Sequence, residues 1–186
     1  MSSMIDFRNM KDYAKCRRVV LYGNPVLRTV AQPITEFNQH LEQLIQDLLI
    51  TMIKKDGVGL AANQIGVPSA IFALNPQACN LDRPPLCIIN PEIVATEGRV
   101  EEEEGCLSLP DIYEIVPRPE FVRIKGFTAE GRPLEMEGTG LLARALVHEI
   151  DHLRGILFID HISELRRQLL VSRLKQLEEM ERQFCE

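Results

Sequence analysis

Three stretches of the chain carry apolar residues at the period of an α-helix. The first follows Asn38, a suitable N-cap, and is expected to end at Gly57. The second follows Thr139 and ends at Gly155, and it is apolar on most of its circumference, so we expect it to be buried. The apolar positions of this second helix are Leu141, Leu142, Ala145, Leu146, Val147, Ile150 and Leu153.

The third predicted helix occupies residues 163–186 and begins with Ser163 as its cap. We predict that it is amphipathic. The leucines expected to share one side are Leu165, Leu169, Leu170, Leu174 and Leu177. The first half of the helix is basic, and the last part is acidic. A solvated charged face is the ordinary interpretation of such a pattern.

Short apolar runs punctuated by proline, asparagine and glycine predict β-strands between the helices. These strands are predicted at residues 70–74, 86–89 and 116–127 and around Pro133. The Asn90-Pro91 pair is expected to form a turn that ends the second strand. Most of the acidic run at residues 101–104 is interpreted as a solvated strand end.

Length and composition limit what the protein can be. A chain of 186 residues suits one catalytic domain spanning residues 1–186, with residues 1–18 as a loosely docked extension. The net charge of −6 argues against nucleic-acid binding, so we expect no DNA partner. No apolar run is long enough to span a bilayer, and the first 16 residues lack the apolar region of a secretory signal. Five scattered cysteines favour a reducing compartment.

The second helix contains the residues with the strongest chemical signal. His148 and His152 lie four residues apart, so their imidazoles project from one face of the helix and can bind one metal ion. Glu149 directly follows the first histidine and can reach a water on that ion. The alternative is a chance pair of solvated histidines. A buried helix disfavours that alternative, because buried polar groups need partners.

Cys106 is the best candidate for a third metal ligand. It lies in a turn-like context, where a cysteine can be either a nucleophile paired with a histidine or a thiolate ligand. A catalytic site of the zinc type takes three protein ligands and keeps one open position. The remaining histidines are less suitable, since His40 starts the first helix and His161 lies beyond the second. The glycine-rich segment near Gln64 lacks the context of a nucleotide-binding loop.

Three segments together resemble the peptide deformylase family. They are Gly57-Val58-Gly59-Leu60-Ala61-Ala62-Asn63-Gln64, Glu104-Gly105-Cys106-Leu107-Ser108 and His148-Glu149-Ile150-Asp151-His152. The resemblance covers residues 19–162 and implies an α+β fold, in which antiparallel strands wrap around a central helix that carries both histidines. It implies the removal of the formyl group from formyl-methionyl nascent peptides. The implied cofactor is one divalent metal ion, iron(II) first, with nickel or zinc also accepted.

The resemblance also implies roles for individual residues. Cys106, His148 and His152 would hold the metal, with Glu149 as general base and then acid. The side-chain amide of Gln64 and the backbone N–H of Leu107 would stabilise the oxyanion. The substrate methionine and peptide backbone would contact Val58, Gly59, Gly105, Leu141 and Ala145.

Two positions depart from the family pattern. Val147 stands where many members have glutamine, and Tyr113 stands where some have an arginine beside the peptide groove. Val147 lies outside the ligand set and concerns only the surroundings of the ligands, whereas Tyr113 leads us to expect a different substrate preference.

Two other functions remain open from the residues. One is a peptidase of the His-Glu-x-x-His class, which would complete its site with a histidine or carboxylate instead of Cys106. The other is a metal-stabilised binding module without catalysis. The basic half of the last helix, Arg166, Arg167 and Arg173, suggests a ribosome contact. We expect a cytoplasmic protein, bacterial in type, although an organellar source fits the same residues.

Overall fold

The computed structural model describes residues 14–185. The α-helices within this span are α1 (Gln39–Lys54), α2 (Gly140–Leu153) and α3 (Glu164–Cys185). The strands are β1 (Gly59–Ala61), β2 (Ile71–Leu74), β3 (Leu86–Glu97), β4 (Val100–Cys106), β5 (Leu109–Arg118), β6 (Phe121–Phe127) and β7 (Pro133–Thr139). Short 3-10 helices lie at Pro25–Arg28, Ala62–Ile65, Pro76–Cys79 and Phe158–Asp160.

The strands form two antiparallel sheets around α2. The larger sheet has the order β1-β2-β3-β6-β7, and β4 pairs with β5 in the smaller one. Helix α2 packs on one face of the larger sheet, and α1 packs on the other. Alternate residues of β2 point to opposite faces of the sheet. Phe72 and Leu74 pack in the core beneath α2, whereas Ile71 and Ala73 pack in the core beneath α1. The predicted α+β architecture, with α2 in the centre, is therefore confirmed.

The helix ends follow their capping residues with one exception. Asn38 Oδ1 accepts hydrogen bonds from the backbone N–H groups of His40 and Leu41, as the sequence predicts. The predicted stop at Gly57 is wrong by one residue, because Asp56 adopts the left-handed conformation with φ 53°. Aspartate tolerates this conformation better than most residues. Gly155 ends α2 with φ 74°, and a Cβ there would lie 2.7 Å from Arg28 O.

Two strand predictions are wrong in their limits. β3 does not end at Asn90-Pro91 but continues to Glu97. Asn90 has φ 48°, and its side chain exchanges two hydrogen bonds with the backbone of Ile34, at 2.8 and 2.7 Å. The predicted strand at 116–127 is two strands in different sheets, β5 ending at Arg118 and β6 starting at Phe121. Asn90 and Pro91, which are residues typical of turns, thus lie at a β-bulge within β3. The turn between β5 and β6 was not predicted from the sequence.

Helix α3 packs against β5 through only some of the leucines that were predicted to lie on one side of it. Leu174 and Leu177 are buried, but Leu165 and Leu169 are 70% and 75% exposed. The prediction that all five leucines share one side of the helix is therefore wrong. The helix contacts the protein through a stripe centred on Leu174, and the first two leucines lie away from it. No helix in the described span has the length and apolarity needed to cross a membrane.

The predicted N-terminal extension lies mostly outside the described residues, since residues 1–13 are not among them. The described end of that segment binds two helices. The backbone N–H of Lys15 donates to Asp47 Oδ1 at 2.8 Å, and that of Arg17 donates to Thr51 Oγ1 at 2.8 Å, both on α1. The guanidinium of Arg18 forms an ion pair with Glu181 of α3.

Candidate active site

The three predicted metal ligands converge at one point. His148 and His152 project from α2 with their Nε2 atoms 3.1 Å apart. Cys106, at the end of β4, brings its Sγ to 3.2 Å from His152 Nε2. One donor atom of each residue lies within 4.8 Å of the other two, which is the arrangement of a metal-binding cluster. The structure therefore brings together the residues that sequence spacing and cysteine context singled out.

The turn between β4 and β5 orients Cys106 toward the histidines. The pairing of these strands shifts between Gly105 and Cys106, so the cysteine leaves the regular ladder. Two donors surround the sulfur: the backbone N–H of Ser108 and the side-chain Nε2 of Gln64, each 3.4 Å from Sγ. Both donors point at the sulfur, the atom through which a cysteine binds metals.

Hydrogen bonding orients the histidines as metal ligands. His148 donates its Nδ1–H to Glu104 Oε1 at 2.6 Å, since a carboxylate only accepts hydrogen bonds. This bond leaves Nε2 facing the cluster, the usual arrangement of a metal-binding histidine. Burial lowers the pKa of His148, but its hydrogen bonds with Cys106 and Glu104 outweigh burial and raise the pKa well above its ordinary value. Burial, with the nearby charge of His148, holds the pKa of His152 well below its ordinary value, so this imidazole is neutral. The donor set thus fits a divalent ion.

Glu149 lies beside the cluster with an unsatisfied oxygen. The residue is buried, and none of the described residues provides a hydrogen-bond partner for its Oε2. Burial raises the pKa of this carboxyl to about 7. Gly59 explains how the side chain is accommodated, because a Cβ at that position would lie 2.6 Å from Glu149 Cγ. A buried carboxyl that titrates near neutrality can both accept and donate a proton.

A cavity of about 490 Å³ opens beside these residues. The residues predicted to contact the substrate line it; they are Val58, Gly59, Gly105, Leu141 and Ala145. Gln64, Leu107 and Glu149 also line it. Gln64 is buried, and its Oε1 accepts from the N–H of Ala61 at 2.9 Å, which turns Nε2 toward Cys106. Tyr113 is 62% exposed and forms part of the cavity mouth.

A group of buried charges was missed by the sequence reasoning. Glu104 belongs to the acidic run that was mostly interpreted as solvated, yet it is buried and binds Arg118 at 2.7 Å. Burial raises the pKa of Glu104, but hydrogen bonds from Arg118 and His148 outweigh burial and hold it well below its usual range. Strand alternation is the signal that could have identified it, since alternate residues of such a run face the interior.

Arg144 and Asp151 complete this group. Arg144 Nη2 donates to the backbone oxygens of Glu102 and Glu103 at 3.0 and 3.1 Å. Asp151 accepts from Arg118 at 2.5 Å and from His161 at 2.7 Å. His161 lies outside the cluster of Cys106, His148 and His152, and Asp151 is its partner. Helical spacing shows that Asp151 is near the histidines, but it cannot identify these partners from β5 and the segment after α2.

Comparison with known proteins identifies the family. The model of the polypeptide deformylase family matches residues 16–168. Peptide deformylase of Acidobacterium capsulatum is 44% identical over 162 residues, which are 87% of this chain and 95% of that protein. The Brucella suis enzyme is 41% identical over 160 residues, covering 86% and 91% of the two chains.

A solved structure extends the likeness to the whole fold. The crystal structure of a peptide deformylase from Legionella pneumophila has a TM-score of 0.82 at 39% identity, and the match covers 89% of this chain and 97% of that one. The implied activity is therefore confirmed. The chain belongs to the peptide deformylase family and is a metal-dependent hydrolase that removes the N-formyl group from the amino termini of newly made proteins.

Proposed function

We propose that Cys106, His148 and His152 hold the metal ion of this deformylase, and that iron(II) is the native ion. Thiolate and imidazole donors suit iron, nickel and zinc alike, so zinc or nickel would also be accepted. The single observation that carries the proposal is the convergence of the three donors within 4.8 Å. When bound, the ion would supply the Lewis acidity that makes water a nucleophile near neutral pH.

Glu149 is the proton carrier in this proposal. Its carboxylate takes a proton from the attacking water and later delivers it to the nitrogen of the departing amine. The raised pKa, about 7, lets the same group serve both steps. The unsatisfied Oε2 provides an oxygen that is available for this transfer. Gly59 leaves the space that this side chain occupies, because a Cβ at that position would overlap the Glu149 side chain.

Gln64 and Leu107 stabilise the negative charge that forms on the formyl oxygen when water attacks the formyl carbon. Gln64 is fixed by the bond from Ala61 N–H, so its Nε2 donors point toward the cluster without reorganising. The backbone N–H of Leu107 follows Cys106 directly in the turn that lines the cavity. Preorganised donors of this kind contribute about 10²–10³ in turnover each.

The substrate methionine occupies the apolar part of the cavity in this proposal. Val58, Leu141 and Ala145 form its wall, and the backbone of Gly59 and Gly105 faces the peptide. A Cβ on Gly105 would lie 2.7 Å from Tyr113 Cε1, so glycine lets the tyrosine ring lie against the groove. An aromatic ring in place of a cationic side chain favours apolar residues in the following peptide positions.

The test measures formate release from a formyl-methionyl peptide by protein purified without oxygen and loaded with iron(II) or nickel(II). Glu149→Gln should keep its metal and lose about 10²–10⁴ in turnover, because proton transfer is removed. Glu103→Gln is the matched control, since Glu103 lines the same cavity but is exposed. A Glu149→Gln variant with near-normal turnover would contradict the mechanism.

A second variant separates the deformylase site from that of a His-Glu-x-x-His peptidase. Cys106→Ala should lose bound metal, whereas Cys79→Ala, a partly buried cysteine away from the cluster, should keep it. Metal content by elemental analysis gives the answer. Unchanged metal in Cys106→Ala would show that the third ligand lies elsewhere.

The basic half of α3 is our proposed ribosome contact. Arg166, Arg167 and Arg173 form ion pairs with Glu114, Asp160 and Asp111, yet they remain 59%, 39% and 46% exposed. Partly exposed guanidiniums can still bind phosphate oxygens of RNA. Reversal of all three charges should reduce co-sedimentation with ribosomes, while reversal of Arg123 and Lys125 on β6 should not. Equal binding by both variants would exclude the contact.

The setting of the activity follows from its substrate. Formyl-methionyl peptides arise at bacterial and organellar ribosomes, so we propose a cytoplasmic enzyme of bacterial type. We further propose that residues 1–186 act as one catalytic domain. Cell fractionation with an antibody to the protein tests the first proposal, and limited proteolysis of the full chain tests the second.

A further inference from the structure

A row of charged side chains leads from the metal cluster toward the protein surface. It starts at His148, whose Nδ1–H donates to Glu104 at 2.6 Å. Arg118 then holds both oxygens of Glu104, through Nε at 2.9 Å and Nη2 at 2.7 Å. The side chains of Glu104 and Arg118 are 8% and 2% exposed, so this bidentate pair is shielded from water. Shielded pairs of this kind are strong and geometrically specific.

The row ends at His161. Arg118 Nη1 donates to Asp151 Oδ2 at 2.5 Å, and His161 Nε2 donates to the same oxygen at 2.7 Å. The Asp151 side chain is 8% exposed, whereas that of His161 is 33% exposed. His161 is therefore the member of the row that solvent reaches, and it is also the outer support of Asp151.

Arg118 connects the two structural elements that carry the metal donors. Glu104 lies on β4, two residues before Cys106, and Asp151 lies on α2 beside His152. One guanidinium thus joins the strand that delivers the thiolate to the helix that delivers both imidazoles. A change in the position of Arg118 would alter both the orientation of His148 and the distance between these elements.

We propose that His161 is a positioning residue for the metal site, acting through Asp151, Arg118 and Glu104 on His148. The proposal rests on the ligand set proposed above. Without the His161 donor, Asp151 would turn toward water and Arg118 would follow it. The hydrogen bond that fixes the tautomer of His148 would then weaken. Bonds of this kind raise the basicity of a metal-binding histidine and fix its ring.

The turn that carries His161 has separate supports, so the effect of one side chain can be isolated. Asp160 forms ion pairs with Arg28 and Arg167, and its Oδ2 accepts from the backbone N–H of Leu157 at 2.8 Å. Phe158 and Ile159 are buried in the core beneath it. Replacement of His161 should therefore leave the turn in place.

The experiment compares His161→Leu, which removes the donor, with His161→Gln, which keeps an N–H. Affinity for zinc(II) and cobalt(II) is measured by competition with a chelator at a fixed pH. We expect His161→Leu to weaken binding about threefold to tenfold, less than the roughly 10–100-fold seen when a direct partner of a ligand is lost. His161→Gln should recover most of this loss. Arg167→Leu is the matched control, because it removes a neighbouring ion pair outside the row.

The second readout is the Nδ1–H proton of His148 in the NMR spectrum of the zinc-loaded protein. We expect its resonance to move upfield in His161→Leu and to stay in place in His161→Gln and Arg167→Leu. Unchanged affinity and an unchanged proton in His161→Leu would overturn the proposal, even if thermal stability fell. Failure of the proposed ligand set would look different, since wild-type protein would then bind no metal at the cluster.

Discussion

Helices α2 and α3 are both amphipathic and both rich in charge, but they use their polar side chains in opposite ways. Eleven of the 14 residues of α2 are buried, including Arg144, Glu149, Asp151 and His152. In α3, which has 22 residues, the buried side chains include Leu174 and Leu177, and most charges lie at the surface. Because buried polar groups are costly without partners, the contacts of α2 are specific, and those of α3 are replaceable.

The comparison shows that the polar side chains of α2 and those of α3 contribute differently to function and to stability. Most polar side chains of α2 have a defined partner in β4, β5 or the segment after α2. Glu149, whose Oε2 has no partner among residues 14–185, is the proton carrier in our proposal. Arg166, Arg167 and Arg173 of α3 form ion pairs at the solvent-exposed surface, where such pairs contribute about 0–1 kcal/mol to stability. Changes near α2 should therefore abolish activity, whereas changes at exposed positions of α3 should alter stability slightly.

Gly59→Ala should have the largest effect on activity. The new Cβ would lie 2.6 Å from Cγ and 2.7 Å from Cδ of Glu149, so the carboxyl must move from its position beside the cluster. The expected loss in turnover approaches the 10²–10⁴ that a positioned proton carrier contributes. Bound metal should remain. Gly57→Ala, whose Cβ would approach other atoms no closer than 3.1 Å, is the control. Equal rates for the two variants would refute the positioning role of Gly59.

Arg118→Met should cause the largest loss of stability. It leaves Glu104 and Asp151 buried without their common partner, and breaking a buried pair costs about 3–5 kcal/mol. The free energy of unfolding in urea measures this loss. Arg123→Met removes an arginine that is 41% exposed, and it should cost less than about 1 kcal/mol. A similar loss in both variants would remove the distinction between buried and surface charge.

Glu181→Gln tests the one buried carboxylate of α3. Burial raises the pKa of Glu181, but hydrogen bonds from Arg18, Asn24 and the N–H of Leu21 outweigh burial and lower it. A lowered pKa stabilises the fold above the unfolded-state value of about 4.3, and this contribution disappears as pH falls through the folded-state pKa. The variant should therefore be about 1.5–3 kcal/mol less stable at pH 7.

The difference between Glu181→Gln and wild type should shrink as the pH is lowered below about 4.3, because the unfolded wild-type chain then binds a proton at Glu181 before the folded protein does. Urea unfolding across the pH range measures both limits. A constant difference at every pH would show that packing, rather than charge, is responsible. Activity at pH 7 should not change, since Glu181 lies outside the cavity.

Leu165→Ala and Leu169→Ala should have the smallest effect. Both side chains are largely exposed, so each change should alter the free energy of unfolding by less than about 0.5 kcal/mol. Leu146→Ala on α2 should cost about 2–5 kcal/mol, because that side chain is fully buried. Chemical denaturation of the three variants measures the contrast. A cost for Leu169→Ala as large as that for Leu146→Ala would show that α3 packs against something in solution.

Local spacing determined the central features of the site. His148 and His152 must share a face because helical geometry depends only on residues four apart, and Glu149 follows from the same pattern. Asn38, Ser163 and Gly155 predicted their helix ends for the same reason, since caps act within one turn. The family resemblance added the substrate and the roles of Gln64 and Leu107, which spacing alone did not supply.

Only the tertiary structure decided which charges are buried and which leucines are exposed. Glu104, Arg118, Asp151 and His161 come from β4, β5, α2 and the segment after it, so their row depends on strand register and helix docking. The exposure of Leu169 likewise depends on which side of α3 meets β5. These are contacts between segments distant in the chain. Their energies depend on three-dimensional packing, for which periodicity along the sequence holds no information.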